Sequence, residues 1–95
     1  MRVRWTTPAL RDLEALGDYI AFDNLSAAER TVARIMGRAD ELAAQPHAGR
    51  PGRVAGTREL VIADTPFIVP YRVQGDEVEI LAVMHGARRW PESFK

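Results

Sequence analysis

The sequence predicts an α+β domain in which a two-helix hairpin packs on one face of an antiparallel sheet, in the order β-α-α-β-β-β. Three observations lead there. Apolar residues recur at helical spacing in two blocks before residue 45, and the pattern switches after residue 57 to β-prone runs rich in Val, Ile and aromatics. No strand–helix–strand alternation follows that switch, which argues against a parallel sheet. The 95 residues make a single domain, 1–95, and 46% hydrophobic with 27% charged residues is the balance of a globular chain rather than a disordered one.

Residues 3–5 are a short β-prone start. Thr7 is read as the N-cap of the first helix, with Pro8 at the first helical position, where a missing N–H costs nothing. Leu10, Leu13, Leu16 and Ile20 then mark an amphipathic helix over about residues 8–22, ended near Asp23-Asn24. Ser26-Ala27-Ala28-Glu29 has capping-box spacing for a second helix, whose apolar stripe is Val32, Ile35, Met36, Ala39, Leu42 and Ala43. So short a connection makes the helices antiparallel neighbours. Leu10, Leu13, Val32, Ile35, Met36 and Leu42 are assigned to the core. Residues 46–53, with two Pro and two Gly, form a loop. Strands are expected over 57–62, 67–73 and 77–85, joined by turns at Ala63–Pro66 and Gln74-Gly75-Asp76. Pro70 cannot donate a ladder bond, so a bulge or an unpaired edge is expected there. The later half of the last strand, Leu81 to Met84, is apolar in both phases and is expected to be covered on both faces.

Thirteen basic and thirteen acidic residues cancel, which disfavours a strongly basic nucleic-acid binder or an acidic tail protein. Cysteine is absent, removing disulfides, thiolate catalysis and Cys-type zinc sites, in keeping with a reducing compartment. No apolar run approaches the roughly 20 residues of a bilayer span. The opening Met1-Arg2-Val3-Arg4-Trp5 lacks the apolar stretch of a signal peptide, so a cytoplasmic location without membrane contact is expected. His47 and His85 lie 38 positions apart with no metal-ligand spacing around them, so neither metal nor cofactor is expected. Ser26 as a cap and Ser93 near the end make a poor serine triad, and no glycine pattern matches a phosphate loop.

What remains is arginine. All basic residues but Lys95 are Arg, a preference that a GC-rich genome explains in the main, but the planar fork also grips phosphate and carboxylate. Arg50, Arg53 and Arg58 are successive charges without an acid among them, and His85, Arg88, Arg89 and Trp90 crowd the end of the last strand. A cleft with two Arg and one His is able to cleave RNA without metal, His acting as general acid or base. The plainer alternative pairs Arg58 with Glu59 and Arg88 with Glu92 as surface ion pairs, with His85 structural. Arg30, Arg34 and Arg38 share one helix face, either solvated or docking an acidic partner.

The runs His47-Ala48-Gly49-Arg50-Pro51-Gly52, Gly56-Thr57-Arg58-Glu59-Leu60-Val61, Thr65-Pro66-Phe67-Ile68-Val69 with Tyr71-Arg72-Val73, and His85-Gly86-Ala87-Arg88-Arg89-Trp90-Pro91 resemble the RelE/ParE superfamily of bacterial toxins. The opening Trp5-Thr6-Thr7-Pro8-Ala9-Leu10 with Asp12-Leu13 resembles the start of its first helix. The resemblance implies a helical hairpin on a curved sheet, and a toxin of a type II toxin–antitoxin system, of the kind tied to plasmid stabilisation and growth arrest. It further implies a cognate antitoxin that lays an apolar helix and an extended segment over the toxin. RelE-like members cut mRNA on the ribosome, whereas ParE-like members block DNA gyrase. RelE-like nucleases carry basic residues on the strand matching Glu59 to Val61 and an Arg just before the next strand's apolar segment. Here those positions hold Glu59, Val61 and Ile68. Arg88 matches a basic RelE position, but the aromatic closing that motif would be Phe94, without a hydroxyl. His85 is a partial substitute, since some relatives use a His near the carboxyl end.

The expectation is a ParE-like toxin that acts by binding gyrase, without catalysis. Arg58, His85, Arg88, Arg89 and Trp90 are assigned to the target, and Arg30, Arg34 and Arg38 to a partner. The alternatives are a ribosome-dependent mRNA endonuclease using His85, Arg88 and Arg58, and a non-toxic relative that only binds antitoxin.

Overall fold

A computed structural model describes residues 1–94. Strand β1 (Arg2–Trp5) leads into helix α1 (Thr7–Asp23) and helix α2 (Leu25–Asp40), which a 3-10 turn extends over Glu41–Ala43. The cap of α1 is Thr6, one residue before the expected Thr7. Its Oγ1 accepts from the Ala9 N–H at 3.3 Å and donates to the Ile80 carbonyl at 2.7 Å, so the helix start is pinned to the sheet. Asn24, extended at φ −157°, serves both helices. Its N–H donates to Ile20 O at 2.9 Å, and its Oδ1 accepts from Ala27 N at 3.0 Å. The expected Ser26–Glu29 capping box is therefore not formed. Ser26 lies inside α2, where its Oγ accepts from Arg30 Nη1 at 2.7 Å.

One residue between the helices folds them into a hairpin, which covers one face of a sheet built from β2 (Arg50–Pro51), β3 (Arg58–Val61), β4 (Phe67–Gln74), β5 (Glu77–Ile80) and β6 (Met84–His85) together with β1. The spatial order is β1-β5-β4-β3-β2, with β6 also on β4. Two expectations change. The sheet is mixed, because β1 runs parallel to β5, the long connection that a parallel pair requires passing through the helical hairpin and then β2, β3 and β4. Within the expected loop, Arg50 and Pro51 form a two-residue strand opposite Glu59 and Arg58.

The predicted last strand is broken in two at the point where Pro70 interferes. Leu81 N–H donates to Pro70 O at 2.9 Å, but Pro70 has no N–H for the return bond. The three residues Leu81–Val83 then face only Val69 and Pro70 before pairing resumes at Ile68↔Met84, which is a bulge. These three residues are buried, as their two-phase apolar pattern required. At the β4–β5 turn Gly75 takes φ +63°, a hairpin conformation that suits glycine.

The core gathers Leu13, Ile35, Ala39 and Leu42 from the helical layer against Leu60, Ile62, Val69, Tyr71, Val78 and Ile80 from the sheet. Leu10 and Met36, expected inside, are 48% and 40% exposed. The buried faces centre on Ala9–Leu13 and on Ile35–Ala39, and a residue one step further round is turned by about 100° toward solvent. The Tyr71 hydroxyl anchors the segment after the helices, donating to Pro46 O and accepting from Gly49 N–H, both at 2.8 Å. A Cβ on Gly49 would stand 2.6 Å from the Tyr71 ring, so only glycine fits. Tyr71→Phe leaves that buried N–H and carbonyl unsatisfied and is expected to lower stability by about 2 kcal/mol, read as a lower urea midpoint at unchanged m-value.

Candidate functional site

Side chains alternate along each strand, so the neighbours of Leu60, Tyr71 and Ile80 point to the face away from the helices. That face carries ion pairs. Glu77 accepts from Arg2 and Arg4, both at 2.8 Å, and Glu79 lies between Arg4 and Arg72, the latter at 2.6 Å. The Arg72 hydrogen bond holds the Glu79 carboxyl below its ordinary pKa, and the Arg2 bond does the same for Glu77. Glu59 is the most deeply set, its side chain only 2% exposed. It accepts from Arg50 Nη2 and Nε at 2.9 and 3.1 Å, and from Arg53 N and Nε at 2.7 and 3.1 Å. Burial pushes its carboxyl upward, but the Arg53 N–H and the two guanidinium groups outweigh that and hold it below the ordinary value.

Arg53 links this cluster to the carboxyl-terminal segment. Its guanidinium lies 3.7 Å from the centre of the Trp90 ring, a cation–π contact, while the Trp90 indole N–H donates to His85 O at 3.3 Å. His85 is fixed in turn. Its ring meets Phe67 edge-on at 6.0 Å, and its Nδ1 accepts from Ala87 N–H at 3.1 Å, which leaves Nε2 as the free ring nitrogen. Beside it a cleft of about 420 Å³ opens between α1 and β6, lined among others by Leu16, Tyr19, Phe67, His85, Arg88 and Arg89. Asp12 closes its base, accepting from Val83 N–H at 3.0 Å. Arg88 and Arg89 are exposed and form no salt bridge among the described residues.

Of the residues singled out from the sequence, His85, Arg88 and Arg89 come together at this cleft, and Trp90 is fastened beside it. Arg58 does not join them. It pairs across from Tyr71 while His85 pairs across from Phe67, four residues along β4, or roughly 13 Å. The anticipated Arg58–Glu59 pair is absent because consecutive strand residues point to opposite faces. Glu59 takes Arg50 and Arg53 instead, and Arg58 Nη1 donates to Gly49 O at 2.8 Å. An Arg88–Glu92 pair is likewise absent among the described residues. Arg30, Arg34 and Arg38 are engaged locally, with Ser26, with Asp64 at 3.3 Å and with Glu41 at 2.5 Å. Three features escaped sequence reading, namely the Glu59 hub, the Arg53–Trp90 stack and the exposed tip of the helical hairpin. At that tip Tyr19, Phe22 and Leu25 are 80%, 91% and 65% exposed. Among the described residues no cluster of three or more potential ligands could hold a metal, and no helix is long and apolar enough to cross a membrane.

A family model for the ParE toxin of type II toxin–antitoxin systems, parDE, matches residues 3–90. The chain belongs to the ParE toxin family. A solved chain from the chromosomal ParDE toxin–antitoxin system of P. aeruginosa superimposes with a TM-score of 0.80 at 35% identity, covering 90% of this chain and 95% of that one. Y4kP of Sinorhizobium fredii is 55% identical over 91 residues, 96% of this chain and 94% of its own length. The toxin RelE2 of Caulobacter vibrioides is 40% identical over 87 residues, 92% and 97% of the two lengths. A ParE-family chain is the toxin half of a toxin–antitoxin pair, so a cognate antitoxin is its partner. The sheet with its helical hairpin is the fold that this family membership requires.

Because the folded pKa of Glu59 lies below the unfolded one, its contribution to stability is present above the unfolded value and is lost as pH falls through the folded one. Glu59→Gln is expected to cost about 2 kcal/mol at neutral pH and to flatten the acid limb of the stability curve, as measured by urea unfolding between neutral and acidic pH.

Proposed function

We propose that this ParE-family toxin arrests growth in the cytoplasm by binding DNA gyrase, with no catalysis of its own, until its antitoxin covers it. The observation that carries this reading is Glu59. Where a RelE-like nuclease needs positive charge against a phosphate, this chain has a buried carboxylate already holding two arginines, with Val61 exposed and Ile68 buried further along the same face-to-face pair of strands. None of the three stabilises a phosphorane-like transition state. The contact surface is the cleft with His85, Arg88 and Arg89, oriented by Trp90. Two exposed guanidiniums that form no salt bridge among the described residues, over an apolar floor, suit a protein target with acidic and apolar side chains. The tip residues Tyr19, Phe22 and Leu25 suit an apolar antitoxin segment. Arg30, Arg34 and Arg38 can exchange their exposed local partners, worth about 0–1 kcal/mol each, for acidic residues of that antitoxin.

One observation favours the nuclease alternative, since His85 and Arg88 line the same cleft and His85 Nε2 is free to move a proton. Its third candidate, Arg58, sits elsewhere. Two assays on the purified toxin separate the readings. In a gyrase supercoiling assay, Arg88→Ala with Arg89→Ala is expected to weaken inhibition at least about tenfold, and His85→Ala less than that. Ribosome-dependent mRNA cleavage that falls about a hundredfold in His85→Ala would overturn the binding reading.

A further inference from the structure

Arg88 and Arg89 lie in a stretch that forms neither helix nor strand. Among the described residues, every hydrogen bond made by residues 87–94 ends on His85. Ala87 N–H donates to His85 Nδ1 at 3.1 Å, and His85 O accepts from Arg88 N–H at 3.1 Å and from the Trp90 indole N–H at 3.3 Å. These bonds curl the stretch on itself and reach nothing beyond β6. The tie to the rest of the sheet is the Trp90 ring, whose centre lies 3.7 Å from the Arg53 guanidinium.

Neither Arg53 nor Trp90 lines the cleft that holds Arg88 and Arg89. Arg53 is nevertheless firmly placed. Its N–H and Nε donate to Glu59 Oε2 at 2.7 and 3.1 Å, and that carboxylate is buried. The turn that carries it is closed by Gly52 N–H to Thr57 O at 2.8 Å and Thr57 N–H to Val54 O at 3.2 Å, with Val54 buried. A cation fixed before the indole meets it is a better aromatic partner than a mobile one, because the contact costs no further side-chain entropy.

The geometry points to Arg53 as a positioning residue for target binding. It holds the Trp90 ring, Trp90 holds the carbonyl of His85, and the same carbonyl fixes the N–H of Arg88. The inference rests on the reading of Arg88 and Arg89 as target contacts. Guanidiniums carried on a mobile stretch must be ordered when the target binds, and that ordering subtracts from affinity. A stretch already fastened to Arg53 avoids the loss.

The test measures order and inhibition on the same purified full-length toxin. Backbone amide order parameters from nitrogen relaxation are recorded for the unsubstituted toxin, Arg53→Gln, Trp90→Leu, Trp90→Phe, and Arg53→Gln combined with Trp90→Leu. Gyrase supercoiling is assayed alongside. The Arg88 and Arg89 amides are expected near about 0.85 in the unsubstituted toxin and below about 0.6 in Arg53→Gln and in Trp90→Leu, with Leu60 and Val69 unchanged in each. Inhibition is expected to weaken about fivefold in either single variant and no further in the combination, since both remove one contact. Trp90→Phe keeps an aromatic face for Arg53 and is expected to fall between the unsubstituted toxin and Trp90→Leu in both measurements, a partial rescue that a general loss of stability does not give. Trp90→Leu leaves the Arg53–Glu59 bonds in place and keeps the test decisive if Arg53→Gln does not fold. The inference is overturned if order at Arg88 and Arg89 is retained in the folded variants, or if the two losses multiply in the combination. It is also overturned if inhibition survives the loss of order while Arg88→Ala with Arg89→Ala weakens it. Inhibition left intact by that last pair refutes the gyrase reading instead, and the order parameters and their coupling, which involve no target, still decide whether Arg53 positions the stretch.

Discussion

A carboxylate removed from water is tolerable only while cationic donors surround it, and in this chain that carboxylate is Glu59. Its partners come from the segment that precedes β3, so Arg50 and Arg53 fold that segment back along the strand. Arg53 has two faces to offer. One side meets Glu59, and the plane stacks on Trp90, whose indole N–H reaches back to His85. The order of the carboxyl-terminal segment is thereby tied to a charge pair buried on the outer face of the sheet. On the proposed function Glu59 also bears on activity, because its carboxylate places negative charge where the resemblance to RNA-cleaving relatives would call for positive charge.

The two layers of the molecule divide the work. The helical hairpin supplies the apolar interior and leaves its tip, with Tyr19, Phe22 and Leu25, open to a partner. The sheet's outer face carries the ion-pair rows, and the exposed Arg88 and Arg89 line the cleft beside β6. Pro70 makes that arrangement possible. By breaking the last strand after Ile80, it lets three residues cross where two would fit, and β6 resumes one residue out of step, which fixes the face on which His85 emerges.

Local signals made much of this legible in the sequence. Apolar spacing placed both helices, and Pro70 marked the irregularity in the strand. Short-range capping was less transparent. Thr6 and Thr7, or Asn24 and Ser26, are all competent caps, and the choice was made by tertiary bonds such as Thr6 to Ile80 that no local pattern encodes. Nor does a four-residue strand specify its neighbour, so the parallel pairing of β1 with β5 could not be read. The site divides in the same way. His85, Arg88, Arg89 and Trp90 were found together because they are adjacent in the chain. Arg58 was grouped with them by charge alone, although strand register sets it apart. The Arg53–Trp90 contact joins distant segments and leaves no periodic trace.

The central claim, that this family member stops growth by engaging gyrase rather than by cutting RNA, is tested most directly in living cells. Thymidine and methionine incorporation would be followed together in the first minutes after the chain is induced without its antitoxin. Thymidine incorporation failing first, with methionine incorporation following later, is the predicted result. A collapse of methionine incorporation while DNA synthesis continues would contradict the account and make His85 and Arg88 catalysts.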